Sequence, residues 1–286
     1  MSKSDKLAII TGADGGMGRE ITLEVAKRGY HVIMACLNTV EGEDICQKIR
    51  EESGNANVDV YELDLTNFEI MDAFIEQIKA LNKSVELLAN NAGVLCWRDS
   101  KTIYGIEKTI AVNYLGPYYL TNALLPLMGE GSRIVNTVSC TYLIGKIPTD
   151  PFYREKSRFN RFVYYSDSKL ALALLTLKLS EELKEKGIAV NASDPGIVST
   201  NIIRMGNIVV DKLCDWFFRP IIYQPKRGAS TAVKLLLDPQ LAGVSGEIYA
   251  NKKPTRIPKR VLNHSKKDWL LQTTQLLITQ IKHKQH

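Results

Sequence analysis

Two periodicities alternate along residues 1–195, and that alternation leaves few folds open. Short apolar runs rich in β-formers, at 6–11, 31–36, 58–63, 85–90, 133–139 and 188–193, have the length and composition of strands. Between them, 17–29, 41–53, 67–82, 102–128 and 163–186 carry apolar residues at helical spacing. Strands separated by a helix's length of chain do not pair as tight hairpins, so successive strands run parallel, with crossover helices covering both faces of the sheet. The expectation is an α/β fold: a single-domain, doubly wound parallel sheet of Rossmann type flanked by helices. A chain of 286 residues with 45% hydrophobic content can bury such a core as one unit. From 196 to about 228 the pattern dissolves into Gly, Pro, aromatic and Ile residues. A long irregular stretch after a strand's carboxyl end is where such folds put ligand-binding loops.

Several function classes are disfavoured. No apolar run approaches the roughly 18 residues needed to span a bilayer, so no integral membrane segment is expected. Residues 1–6 are short and polar and lead directly into the first strand, without the apolar core of a secretory signal. The five cysteines, Cys36, Cys46, Cys96, Cys140 and Cys214, are odd in number and scattered, which suits free thiols in a reducing cytoplasm. The net charge of +6 is local: 251–286 holds nine Lys and Arg against Asp268 alone, leaving the rest of the chain slightly acidic. A nucleic-acid role for the body therefore has no support. Within that basic extension, 268–281 reads as an amphipathic helix with Leu270, Leu277 and Ile281 on one stripe and Trp269 and Leu276 beside it. Its lysines flank the helix rather than line its polar face, which favours packing on the body or a second subunit over attachment to anionic lipid.

The chemistry-bearing residues sit where the predicted strands end. Gly12, Gly16 and Gly18 follow the first strand and open the first helix, where close backbone approach and free helix N–H groups suit a pyrophosphate. Asp64 ends the third strand, where it can accept from an adenine amino group or cap the next helix. Asn90-Asn91-Ala92-Gly93 closes the fourth strand with a small turn. Asn113 lies within a helix-like run, Ser139 ends the fifth predicted strand, and Pro195-Gly196 ends the sixth. Tyr165 and Lys169 are one helical turn apart, so an ammonium can act on a phenol. A phenol ionises near ~10, and a nearby cation favours its anion. Tyr164 is one residue off that face.

In order and spacing, Thr11-Gly12, Gly16, Gly18, Asp64, Asn90-Asn91-Ala92-Gly93, Asn113, Ser139, Tyr165 with Lys169, and Pro195-Gly196 resemble the short-chain dehydrogenase/reductase family, over about 5–250. Ala35-Cys36 with Glu41-Gly42, Ile144-Gly145-Lys146-Ile147-Pro148 and the 26-residue step from Ser139 to Tyr165 are similar to its retinol dehydrogenase and carbonyl reductase branch. The resemblance implies an NAD(P)-dependent oxidoreductase interconverting an alcohol and an aldehyde or ketone, with a non-catalytic nucleotide sensor of the same fold as the alternative. It implies that Tyr165 transfers the hydroxyl proton, that Lys169 lowers its pKa and bonds the nicotinamide ribose, that Ser139 polarises the substrate oxygen, and that Asn113 holds a water. Implied cofactor contacts are Gly12, Asp14, Gly16, Met17, Gly18, Leu37, Asp64, Leu65, Asn91, Ala92, Gly93, Tyr165, Lys169, Pro195, Gly196, Val198 and Thr200.

The implied organisation is a catalytic domain over 1–250, with a substrate insert at 140–163 and a substrate loop at 196–225, followed by the basic extension 251–286. Phe152, Tyr153, Phe159 and Phe162 in the insert, and Trp216, Phe217 and Phe218 in the loop, would give apolar walls for a bulky substrate. Leu37 stands where that branch has an arginine for a 2′-phosphate, and the acid of NAD-preferring relatives is missing too. The expectation is NADP or NAD, leaning to NADP, with Arg19 or Lys48 as possible helpers. The partners expected are a small alcohol or carbonyl compound and copies of the chain, in a homodimer or homotetramer.

Overall fold

The computed structural model describes residues 5–153, 159–196 and 224–285. The expected Val198, Thr200, Trp216, Phe217 and Phe218 lie outside these residues. Eight strands form one sheet: β1 (Lys6–Thr11), β2 (His31–Cys36), β3 (Val58–Glu62), β4 (Ser84–Asn90), β5 (Arg133–Thr137), β6 (Ala189–Asp194), β7 (Ile248–Ala250) and β8 (Lys253–Pro254). Their order is β3-β2-β1-β4-β5-β6-β7-β8. All neighbours are parallel except the β7–β8 pair at the edge. The chain thus winds outward from β1 in one direction and then from β4 in the other, placing the switch point between β1 and β4.

Each central strand is buried on both faces, and its period of two divides it between two cores. On one face, Leu7, Ile9, Ile33 and Ala35 pack with Phe68, Phe74, Leu120 and Leu174. On the other, Ala8, Ile10, Val32 and Met34 meet Ile21, Val25, Ile49 and Leu235. The helices are α1 (Gly16–Ala26), α2 (Thr39–Ser53), α3 (Phe68–Ala80), α4 (Lys108–Ile110), α5 (Gly116–Leu124), α6 (Arg161–Glu182), α7 (Pro225–Leu237), α8 (Lys259–Leu262) and α9 (Lys267–Gln285). Asparagine side chains fix three starts: Asn38 accepts from Val40 and Glu41, Asn67 from Glu69, and Asn160 from Phe162 and Val163. Helix α6 is buried from Ser166 through Leu177, the pattern of a helix enclosed on every side.

The structure redraws some predicted boundaries. The single helix expected over 102–128 begins at Lys108, because Gly105 at φ +76 and the Thr102 side chain turn the chain first. It then widens into a π-turn over Ala111–Leu115 before Pro117 starts α5. Strand β5 stops at Thr137 rather than at Ser139, which instead caps the short helical turn Cys140–Leu143. Helix α9 lies on the body, with Leu270, Leu277, Ile278 and Ile281 buried and Leu276 at 63% exposure. Thr274 shares a 2.8 Å hydrogen bond with Tyr114, Lys267 meets Glu181 at 2.7 Å and Lys178 meets Asp268 at 2.8 Å. No described helix is long and apolar enough to cross a membrane.

Candidate active site

At the switch point, the turn after β1 demands glycine. Gly12 adopts φ +60, and a Cβ there would stand 3.1 Å from the Ala92 Cα. A Cβ on Gly18 would fall 2.0 Å from the Gly12 carbonyl oxygen, so α1 can begin this close to the strand only without one. No side chain caps α1, whose first N–H groups therefore face the turn as a ready anion site. Thr11 ties this turn to the next one: its hydroxyl accepts from the Asn91 and Ala92 N–H groups, each at 3.0 Å, while the Asn91 amide donates to the Thr11 carbonyl at 3.0 Å. The Asn91 Oδ1 is left buried without a partner at that seam. Thr11 stood in the glycine motif that carries the family resemblance but was not among the implied cofactor contacts.

A cleft of about 480 Å³ opens here, lined by Gly12, Asp14, Gly16, Met17, Gly18, Leu37, Asp64, Leu65, Asn91, Ala92 and Gly93, all expected. Glu41, Lys108 and Val112 also line it and were not expected. Asp64 accepts from the Thr66 N–H at 2.8 Å and its hydroxyl at 2.7 Å, while Asn67 caps α3. Asp64 therefore shapes a turn and is not the helix cap. The length of the cleft, its glycine floor, the uncapped helix N-terminus and the orphaned Asn91 oxygen fit a dinucleotide laid across the switch point.

Beyond Gly93 the cleft meets the acid–base residues. A Cβ on Gly93 would lie 3.3 Å from both the Asn113 Oδ1 and the Lys169 Nζ. Asn113, fully buried in the π-turn, accepts from the Val94 N–H at 2.8 Å and donates to the Val94 carbonyl at 2.9 Å and the Ser168 hydroxyl at 3.0 Å. Such a turn offsets one residue from helical register, which aims an amide inward where a regular helix would not. Lys169 is buried, donates to the Thr137 carbonyl at 2.8 Å, and holds its Nζ 5.5 Å from the Tyr165 ring centroid. Burial lowers its pKa to about 8, against the opposing pull of the Asp194 carboxylate.

The Ser139 side chain neighbours the Tyr165 phenol. Burial pushes the phenol up to about 12; the Ser139 hydroxyl works against this and the Asp194 charge adds to it. The depression of the phenol by Lys169 that the resemblance implies is not among the effects that set it here; burial dominates. Asp194 went unnoticed in the sequence, since a polar residue closing a strand is unremarkable. It is buried and accepts from the Gly196 N–H at 2.9 Å, and burial raises its pKa while that bond, the nearby Cys140 backbone and Lys169 oppose the rise. Pro195 and Gly196, the latter at φ +71, follow it at the mouth. Tyr164 turns away, its ring 5.1 Å from Phe159. Phe152 is also not a cleft wall: it is buried and stacks on Tyr114. Tyr153 and Phe162 are exposed.

The family model described as short chain dehydrogenase matches residues 6–207. Retinol dehydrogenase 12 of Homo sapiens is 35% identical over 261 residues, covering 91% of this chain and 82% of its own length. Polyprenol dehydrogenase of Homo sapiens is 31% identical over 265 residues, covering 89% and 79%. A solved structure provisionally named an NAD(P) dependent gluconate 5-dehydrogenase, from Beutenbergia cavernae with bound NADP at low occupancy, is 25% identical and superposes with TM-score 0.68 over 86% of this chain and 94% of its own. The glycine turn, Ser139 beside Tyr165, the buried Lys169 and these matches agree: the chain belongs to the short-chain dehydrogenase/reductase family, near its retinol dehydrogenase branch, as an NAD(P)-dependent oxidoreductase acting on CH–OH donors.

Proposed function

We propose that the chain interconverts a bulky, apolar alcohol and its aldehyde or ketone, with Tyr165 as the acid–base group, Ser139 and Lys169 as its supports and Asn113 as the clamp that positions them. The observation that carries this reading is the buried Lys169 ammonium, 5.5 Å from the Tyr165 ring and one helical turn along, with the Ser139 side chain beside the same phenol. The glycine turn, Asp14, Met17, Leu37, Asp64, Leu65 and the 91–93 turn would hold the dinucleotide, which would supply or accept the hydride. In reduction, the Tyr165 hydroxyl gives its proton to the developing alkoxide, and Ser139 hydrogen-bonds the same oxygen. A phenol held near 12 stays protonated at neutral pH, the form reduction requires. In oxidation the proton returns to Tyr165, whose anion the Lys169 charge steadies.

Asn113 fixes both the loop through Val94 and helix α6 through Ser168, so it sets the distance between the cleft and Lys169. The insert 140–163 and the loop 196–225 are the segments proposed to set substrate choice. Relatives named for retinol and polyprenol, both long apolar alcohols, support an apolar substrate. Initial rates with either reduced dinucleotide, followed by its absorbance across a panel of carbonyl compounds, test this. Hydrophobic aldehydes and ketones should exceed short hydroxy acids and sugar acids in kcat/KM, and the reverse order would overturn the substrate class.

A further inference from the structure

We infer that the adenosine-ribose end of this cleft selects NAD(H) over NADP(H), and that the carboxylates of Asp14 and Glu41 impose the choice. This deepens the dinucleotide reading and rests on it. In an open α/β sheet of this winding, the ribose next to the adenine lies beyond the carboxyl end of the second strand. Here that end is Cys36, and three residues close around it. Asp14, in the glycine turn, neighbours the Cys36 thiol, whose pKa its charge helps to raise. Leu37 follows the strand, 62% exposed and without charge. Glu41, in the first turn of α2, shares the lining with both.

A 2′-phosphate would bring roughly two negative charges to this corner, and it needs a cation to offset their desolvation. Among the described residues the corner offers none. Arg19, a candidate helper on α1, is committed to Glu20 at 3.0 Å and to Glu52. Arg50 of α2 donates to the Val58 carbonyl at 2.8 Å and to Asp59 at 3.3 Å, at the opposite end of β3. Lys48 does not line the cleft, and the lining cation, Lys108, belongs to α4 on the β4 side of the sheet. A 2′-hydroxyl, by contrast, can donate to either carboxylate. Rejection therefore comes from like charge facing the phosphate, and acceptance from a hydrogen bond to the hydroxyl. The lean to NADP drawn from the sequence relied on kinship alone, with no charge at position 37 to decide it; the lining decides the other way. Glu41 also suits the positive end of α2, a role that needs only a carboxylate in the first turn and leaves its place in the cleft lining unexplained.

The test is direct binding, by calorimetry, of NADH and NADPH to the full chain, together with 5′-AMP and 2′,5′-ADP, which carry the ribose end alone. NADH and 5′-AMP should bind at least tenfold more tightly than their 2′-phosphorylated counterparts, and added salt should narrow the gap. Glu41→Gln and Asp14→Asn should each narrow it, and Leu37→Arg combined with Glu41→Gln should reverse it. Equal or tighter NADPH binding by the unaltered protein overturns the inference and leaves the dehydrogenase reading in place. A preference untouched by either carboxamide variant overturns the assignment to these residues, with Glu41→Gln decisive should Asp14→Asn not fold. No binding of either dinucleotide sinks both readings, whereas NADH selectivity without turnover on any carbonyl compound sinks only the proposed reaction.

Discussion

Helix α9 is held to the body by apolar contact, and two adjacent leucines make that claim measurable. Leu277 is 6% exposed and Leu276 is 63% exposed, one position apart on the same helix. Alanine at either site keeps helix propensity, so the comparison isolates burial. Leu277→Ala should cost about 2–5 kcal/mol, the range for a leucine removed from a packed core. Leu276→Ala should stay within about 0.5 kcal/mol of the unaltered protein. At roughly 2–4 °C per kcal/mol for a chain of this size, Leu277→Ala should lower Tm by about 4–20 °C and Leu276→Ala by no more than about 2 °C. The ion pairs Lys178–Asp268 and Lys267–Glu181 involve exposed carboxylates and add little, so high salt should leave the difference intact. Deleting 264–286 is a poorer probe. It strips Leu270, Leu277, Ile278 and Ile281 from the core, about 6–12 kcal/mol of burial, which rivals the whole stability of a domain. Differential scanning fluorimetry of the two alanine variants is the assay. Equal melting of both, or salt-sensitive pelleting of the intact protein with anionic vesicles that Leu276→Ala abolishes, would refute the packed helix.

Two further outcomes follow from the site. Asp194→Asn removes a negative charge that raises both the Tyr165 and the Lys169 pKa, so both fall in the variant and the alkaline limb of the reduction rate should move to lower pH. A pH–rate profile unchanged in that limb would show that Asp194 does not act on the pair. Gly18→Ala places a Cβ 2.0 Å from the Gly12 carbonyl oxygen, so dinucleotide affinity should drop at least tenfold; unchanged affinity by calorimetry would mean that the glycine turn is not the phosphate cradle.

The parallel sheet was legible because β1, β2, β4 and β5 are buried on both faces and so must be continuous apolar runs. Strand β7 and helix α7 were not: a three-residue strand such as Ile248–Ala250 has too short a pattern to stand out, and it is fixed only by pairing with β6. Residues whose type is rare for their position, such as the turn glycines and the Tyr165–Lys169 step, announced the site. Lys108 and Asp194 did not, because each is an ordinary residue made special by what the fold brings against it, and Thr11 and Glu41 stood out only as parts of longer motifs. The π-turn around Asn113 was invisible for a related reason, since its residues keep the apolar spacing of a helix and the Val94 and Ser168 contacts come from elsewhere in the fold.

The central claim, that Tyr165 moves the proton, is tested most directly by measuring kcat and NADH affinity side by side in Tyr165→Phe and Tyr164→Phe. Tyr165→Phe should lose at least about a hundredfold in kcat, the usual contribution of a positioned proton donor, with nucleotide affinity near that of the unaltered protein. Tyr164→Phe, altered on the face that packs toward Phe159, should retain both. Equal losses in the two variants, or a Tyr165→Phe enzyme of normal kcat, would contradict it.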